Sequence, residues 1–363
     1  MDSPGSGHEV RPRKQVNREN RTMKALTAAL ALVGAAGLLL GTPHVQPAHA
    51  ADTEWKMHLV WVPTRQEVVS ANKFVERVNA RTGDKFKITA YTGGSLGVKD
   101  SDMLRILPPG NVIQITMLYT GYVARDAPDL AFALPEGVLS SAEDVVKALP
   151  VLDDIYEEGF QSWGVKYLGT LISPDKSINL YCKDEVNTLE ELRTKKLRVW
   201  SKALLDSFAK IGVSGTIIPQ NDMYIALQTG VVDCATYYPG AANTLSLQEV
   251  APNWAFLSHY AVPIPLVVSQ KAWDALPADV QAVMTEEADK LVKELADNFL
   301  AGNYEVAEGK KFDAAGGKQL EPFPEADQAA FTAAAVEVWE ENATQLGGKL
   351  EANRKRLADV LGN

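Results

Sequence analysis

A serine framed by glycines is the first residue of this chain that could break a bond. Gly93-Gly94-Ser95-Leu96-Gly97 matches the G-x-S-x-G pattern that presents a nucleophilic serine on a strand-to-helix turn. Such a serine needs an acid and a histidine downstream, and His259 is the one histidine left after it. That residue lies in Leu257-Ser258-His259-Tyr260 without any distinctive flanking motif, so a plain glycine turn is the competing reading. Metal chemistry has less support: there is no HExxH, no CxxC and no cluster among His8, His44, His49, His58 and His259. A Walker A loop and a GxGxxG turn are also absent, so no metal and no cofactor is expected.

Recognition has a better candidate in Lys196-Leu197-Arg198-Val199-Trp200. On a strand, alternation turns Leu197 and Val199 to one face and Arg198 with Trp200 to the other. The planar guanidinium of an arginine donates two parallel hydrogen bonds and so matches a carboxylate. Ligands of open α/β sheets gather beyond the carboxyl ends of the strands, which is where Arg198 falls. A surface ion pair is the plainer alternative. Cys182 and Cys234 also fall on expected strands, and thiols of an exported chain tend to oxidise. A bridge needs Cα atoms within about 7 Å, which spacing does not reveal, so two buried small side chains remain the other reading.

The elements that must hold these residues alternate along the chain. An apolar run at 57–62 closes at Pro63, after which Val68, Val69, Phe74, Val75 and Val78 recur at helical spacing up to Gly83. Residues 86–91 alternate as a strand, 100–107 read as a short helix and 112–118 as a third strand. This βαβαβ order predicts a mainly parallel sheet under helices. Past a helix at 141–160, strands are predicted at 166–172, 178–182, 196–200, 215–218 and 232–237. Helices at 189–193, 203–211 and 222–229 separate them, giving two α/β lobes. Gly110-Asn111-Val112-Ile113 and Gly230-Val231-Val232-Asp233 form a weak echo of that doubling. From 277 to 315, Val280, Met284, Ala288, Leu291, Leu295 and Phe299 keep helical spacing until Gly316-Gly317. One helix over that span would be about 58 Å long, enough to brace both lobes.

With 363 residues, 46% of them hydrophobic and 23% charged, the composition is that of a globular protein with room for two domains. The formal net charge is −10, although residues 1–50 hold six Lys/Arg against three acids. The body that follows is therefore more acidic still, and phosphate backbones and anionic lipids would repel it. Met23-Lys24 precede about sixteen apolar residues, then Gly41, Thr42 and Pro43, then Ala48-His49-Ala50. This reads as an export signal, too short for a membrane span of about 20 residues. Cleavage is expected after Ala50, with 1–22 a leader upstream of the true start and the mature chain soluble in the periplasm. An uncleaved N-terminal anchor is the alternative.

Three segments in order carry a family likeness: Leu189-Glu190-Glu191-Leu192-Arg193-Thr194-Lys195-Lys196-Leu197-Arg198-Val199, Ala226-Leu227-Gln228-Thr229-Gly230-Val231-Val232-Asp233, and Val267-Val268-Ser269-Gln270-Lys271-Ala272-Trp273-Asp274-Ala275-Leu276. They resemble signatures of the extracytoplasmic solute-binding proteins of tripartite ATP-independent periplasmic (TRAP) transporters, of the dicarboxylate-receptor (DctP) type. Thr120-Gly121-Tyr122 and the turn at 93–97 resemble earlier stations of that family, so the likeness spans nearly all of 55–345. The resemblance implies an α/β, periplasmic-binding-protein-like fold, with two α/β lobes joined by hinge strands and one long bracing helix. It places 51–175 with 262–303 in lobe I, and 176–261 with 304–363 in lobe II.

By the same resemblance Arg198 stands at the family's carboxylate-binding arginine. Tyr237 stands where relatives carry a ligand-contacting Asn or Trp, and Thr236 where many carry Glu. Lys176 lies in a stretch where some relatives have a further arginine. These departures argue against a sugar acid. Trp200, Tyr237 and Tyr238 suggest instead a flatter, partly apolar or aromatic carboxylate. Thr120 and Arg65 complete the candidate set. The implied function is that of a periplasmic receptor, not an enzyme, that delivers a small organic carboxylate to the membrane subunits of a TRAP permease. It implies no nucleic-acid partner and no membrane insertion after cleavage. An exported serine hydrolase using Ser95, or a receptor feeding a sensor protein, are the alternatives.

Overall fold

The computed structural model describes residues 53–139 and 141–362, and the expected leader, signal and cleavage site lie outside them. In chain order the strands are β1 (Thr53–His58), β2 (Phe86–Tyr91), β3 (Ile115–Met117), β4 (Val165–Ile172), β5 (Ser177–Cys182) and β6 (Leu197–Val199). They continue with β7 (Gly215–Ile217), β8 (Cys234–Tyr237), β9 (Asn253–His259), β10 (Pro263–Ser269) and β11 (Lys318–Gln319). Two sheets result, ordered β2-β1-β3-β10-β4 and β11-β9-β5-β8-β6-β7. Each is covered by helices, as two α/β lobes require.

Local chemistry explains most of these elements. Helix Gln66–Thr82 turns Val68, Ala71, Phe74, Val75 and Val78 into the core and stops at Gly83, whose φ of 57° suits a residue without a Cβ. Helix Ala142–Gln161 opens with a capping box, in which Asp144 Oδ2 accepts from the Ser141 backbone N–H at 3.0 Å. β5 and β10 are buried along their whole length; β10 reads as an almost continuous apolar run, whereas β5 carries Ser177 and Asn179 into the interior, where the Asn179 amide donates to the Ser177 hydroxyl at 2.7 Å.

Both sheets are mixed, where a mainly parallel arrangement was expected. β1 pairs parallel to β2 and β3, and β6 to β7 and β8. The antiparallel pairs come from β9 and β10, two strands absent from the expected set, and from β5 against β8. β4 and β5 run on from one sheet to the other, and β9 and β10 return beside them. The Ser173 N–H to Val262 carbonyl bond at 3.1 Å and the Tyr260 N–H to Lys176 carbonyl bond at 2.9 Å stitch the two crossings together.

Three further expectations are corrected. The first strand ends at His58, four residues before the run at 57–62 does, because β3 pairs with β1 only as far as His58↔Thr116. Beyond it Leu59 stays in the core, while the Trp61 carbonyl accepts from the Gly93 N–H at 2.8 Å. The strand at 112–118 shortens to 115–117. The long helix splits into Ala278–Ala301 and Asn303–Ala314 at Gly302, which has φ 69°. That left-handed backbone is strained for any residue with a Cβ, and the break passes the β4–β5 crossing, where Lys176 Nζ lies 3.1 Å from the place a Cβ would take. The first half packs on β4 and Gln66–Thr82, the second on helix Pro239–Thr244 and β11. Bracing is thus shared by two helices with a joint between them. The closing helix Gly348–Leu361 packs on Ala142–Gln161, which itself lies on β4. No helix among the described residues is long and apolar enough to cross a membrane.

Candidate functional site

A cleft of about 650 Å³ opens between loops that follow strands of both sheets. Trp61, Gly93, Asp100 and Tyr122 line it from the first sheet; Arg198, Trp200, Ile218 and Gln220 line it from the second. Beside it lies a void of about 20 Å³, room for roughly one water, which Arg198, Gln220, Tyr237 and Tyr238 help to close. The parallel strands β1, β2, β3, β6 and β7 all send their carboxyl ends to this place, as the alternation of open α/β sheets dictates.

Arg198 is 1% exposed. Its Nε donates to the Ile218 carbonyl at 2.9 Å and its Nη1 to the Thr236 carbonyl at 3.2 Å. The guanidinium lies 5.5 Å from the Tyr237 ring centre and 5.9 Å from that of Trp200. Burial pulls its pKa below the usual arginine value, and no carboxylate is among the groups that act on it. Strand alternation fixes this placement: Leu197 and Val199 fill the core while Arg198 and Trp200 turn to the cleft.

Arg65 is equally buried but fully occupied. Nε and Nη2 grip Glu67 at 3.0 and 2.6 Å, while Nη1 and Nη2 reach Gln220 Oε1 at 2.8 Å and the Tyr238 hydroxyl at 2.7 Å. Burial works against its charge, yet Glu67, Tyr238 and Tyr237 raise its pKa overall. Because Arg65 takes the Gln220 oxygen, the amide nitrogen points elsewhere, and that Nε2 is buried without a partner. Trp200 Nε1 donates to Glu136 Oε1 at 2.6 Å, and the Tyr119 hydroxyl donates to the same oxygen. Tyr237 and Tyr238 stack with centroids 4.8 Å apart, so the second-sheet wall is aromatic.

Arg198 and Trp200 therefore line the cleft and Tyr237 the void beside it, whereas Arg65 lines neither and holds Gln220, Tyr237 and Tyr238 by hydrogen bonds. Thr236 stands behind Arg198, its hydroxyl bonding the Arg198 carbonyl at 3.2 Å. The Thr120 hydroxyl lies 3.5 Å from that of Tyr156, behind the Tyr119 and Tyr122 wall. Lys176 is elsewhere, at the β4–β5 crossing, with Nζ 4.9 Å from the Phe299 ring. Sequence reading left Trp61, Tyr122, Gln220 and Asp100 out of the set, although each follows the carboxyl end of a strand. Ser95 sits exposed in a turn whose Gly93, Gly94 and Gly97 all have positive φ, and no hydrogen bond joins it to His259 among the described residues. Cys182 and Cys234 face each other on β5 and β8 and are bonded, which settles the alternative left open above.

The family model described as bacterial extracellular solute-binding protein, family 7 (DctP), matches residues 58–345. The chain belongs to this family. Among family-7 relatives, a solute-binding protein of Sulfitobacter sp. is 28% identical over 60% of this chain and 66% of its own length, just under two thirds. A monocarboxylate 2-oxoacid-binding periplasmic protein of Nostoc sp. is 23% identical over 89% of this chain and 88% of its own. Two solved solute receptors share the two-lobed fold. One, from Bordetella pertussis with pyroglutamic acid, has a TM-score of 0.76 at 17% identity, covering 85% of this chain and 99% of that one. The other, from Sulfitobacter sp. with β-D-galacturonate, has a TM-score of 0.71 at 21% identity, covering 85% and 98%.

Proposed function

We propose that this family-7 protein is a periplasmic receptor that holds one small organic carboxylate in the cleft, on Arg198, and delivers it to the membrane subunits of a TRAP permease. One observation carries the reading: Arg198 is a buried guanidinium whose bonded partners are carbonyl oxygens alone. Taking a cation out of water costs several kcal/mol unless an opposite charge joins it. A ligand carboxylate would supply that charge and fit the planar fork. Trp200 and Tyr237 would flank it, with Thr236 and Thr120 holding the walls from behind. Arg65 would order the wall and Lys176 the crossing. The two stitched crossings and the joint at Gly302 would let the lobes rotate about them and close on the ligand.

A thermal-shift screen of organic acids on the protein and on Arg198→Ala tests this. A ligand at a hundred times its Kd stabilises by about 2.7 kcal/mol. A carboxylate should raise Tm in the parent protein and leave the variant unmoved. Equal shifts in both would overturn the role of Arg198. Scattering should show a smaller radius of gyration with ligand bound.

A further inference from the structure

The cleft carries a second unmet demand, opposite in kind to that of Arg198. Asp100 opens the short 3-10 turn Asp100–Asp102 and lines the cleft at 7% exposure. Its Oδ2 lies 3.5 Å from His58 Nε2, at the outer limit of a hydrogen bond. Its Oδ1 is buried and accepts from nothing. Arg105 pairs with Asp126, and Arg125 with Asp102 and Asp126, while Lys99, the preceding residue on the same wall, makes no bond to Asp100. Burial raises the pKa of Tyr122, another wall of the cleft, and of the charges near it Asp100 adds to that rise while Arg198 opposes it.

Buried polar groups without partners are uncommon, and each asks for an explanation. Here they sort by type within one cleft. Arg198 has no anionic partner and Gln220 Nε2 donates to nothing, whereas Asp100 Oδ1 is an acceptor without a donor. A ligand that is a carboxylate alone would meet the first two and leave the third orphaned, while adding negative charge to the cleft that holds Asp100.

Resting on the receptor reading above, we propose that Asp100 is a specificity-determining residue that accepts from an N–H group of the ligand. The ligand class is then a compact amino or amido acid: a carboxylate on Arg198, an N–H donor on Asp100 and a flat or cyclic body between Trp61, Tyr122 and Trp200. An N–H to carboxylate bond is charge-assisted, and losing it strands a buried acceptor, so discrimination against analogues without the N–H is about tenfold or more.

Calorimetry with matched probes tests the assignment. Pyroglutamate is paired with the lactone in which oxygen replaces its N–H, proline with cyclopentanecarboxylate, and an indole carboxylate with the benzofuran carboxylate. In every pair that binds through Arg198, the N–H member should bind about tenfold or more tightly. Asp100→Ala should reduce that ratio to near one, and Asp100→Asn, which preserves the shape against His58, should lower it in part. Equal affinities within the pairs on the parent protein overturn the assignment of Asp100 and leave the carboxylate receptor standing. So does a preference that survives Asp100→Ala. Absence of binding by every carboxylate overturns the receptor reading, and this inference with it.

Discussion

Arg65 and Arg198 share one tyrosine from opposite lobes: Arg65 Nη1 bonds the Tyr237 hydroxyl at 3.2 Å, while the Arg198 guanidinium lies 5.5 Å from the centre of its ring. Both cations are buried, yet only Arg65 has a carboxylate, Glu67, beside it. The same charge beside one tyrosine is therefore structural at one position and available to the cleft at the other, and the two should respond to substitution in different ways.

Arg198→Ala should weaken carboxylate binding by at least about 2 kcal/mol, some thirtyfold, with Arg198→Lys recovering only part. Ligand-free stability should change little in Arg198→Met, within about 1 kcal/mol, because a desolvated cation without an anion stabilises the fold weakly. Calorimetry and urea unfolding on the same samples separate the two effects.

Removing Arg65 strands Glu67, which is 2% exposed and whose pKa Arg65 holds low against the effect of burial. Arg65→Met should cost about 3–5 kcal/mol of stability at neutral pH. Adding Glu67→Gln should return a large share, and a double-mutant cycle by urea unfolding reads the coupling. Additive losses would contradict the pairing.

Glu287, on helix Ala278–Ala301, takes Arg77 at 2.7 Å, Arg81 at 2.8 Å and Lys290 at 2.8 Å. Burial would raise its pKa, but Lys290, Arg81 and Arg77 outweigh that and hold it at about 2, against an ordinary 4.5. A depressed carboxylate stabilises fully above its unfolded value and loses that contribution as pH falls through its folded one. Glu287→Gln should therefore be about 2 kcal/mol less stable at pH 7. That gap should close between about pH 4.5 and about pH 2. Unfolding of both proteins across that window is the measurement.

The Cys182–Cys234 bridge spans 52 positions. Loop-closure entropy sets its contribution at about 4 kcal/mol as a ceiling. Replacing both cysteines with Ala should lower the urea midpoint accordingly and leave ligand affinity nearly unchanged, since neither sulfur lines the cleft.

Legibility in the sequence followed the range of the interactions. Helix 66–82 and the pairing of Arg198 with Trp200 follow from spacing a few residues long, and both could be read. The split at Gly302 could not, because Val280 to Phe299 keep their helical spacing and a lone glycine after such a pattern does not by itself show that its backbone turns left-handed. β9 and β10 were missed because neither alternates as a half-exposed strand does: β10 is buried throughout, and β9 is buried in adjacent pairs of residues. Asp100 and Gln220 give one weak local signal, a place after the carboxyl end of a strand, which many other residues share. Their importance lies in hydrogen bonds that are absent, and only the surrounding side chains show that.

The order in which strands join the sheets constrains how the protein acquires its shape. β4 finds its partner β10 only after β5 to β9 have been laid into the other sheet, and β9 is completed at its edge by β11 later still. A chain emerging N-terminus first must hold both sheets unfinished until most of its length is out. Neither half is a contiguous segment that a truncation could isolate, and the long-range pairing favours slow folding with strand edges exposed meanwhile.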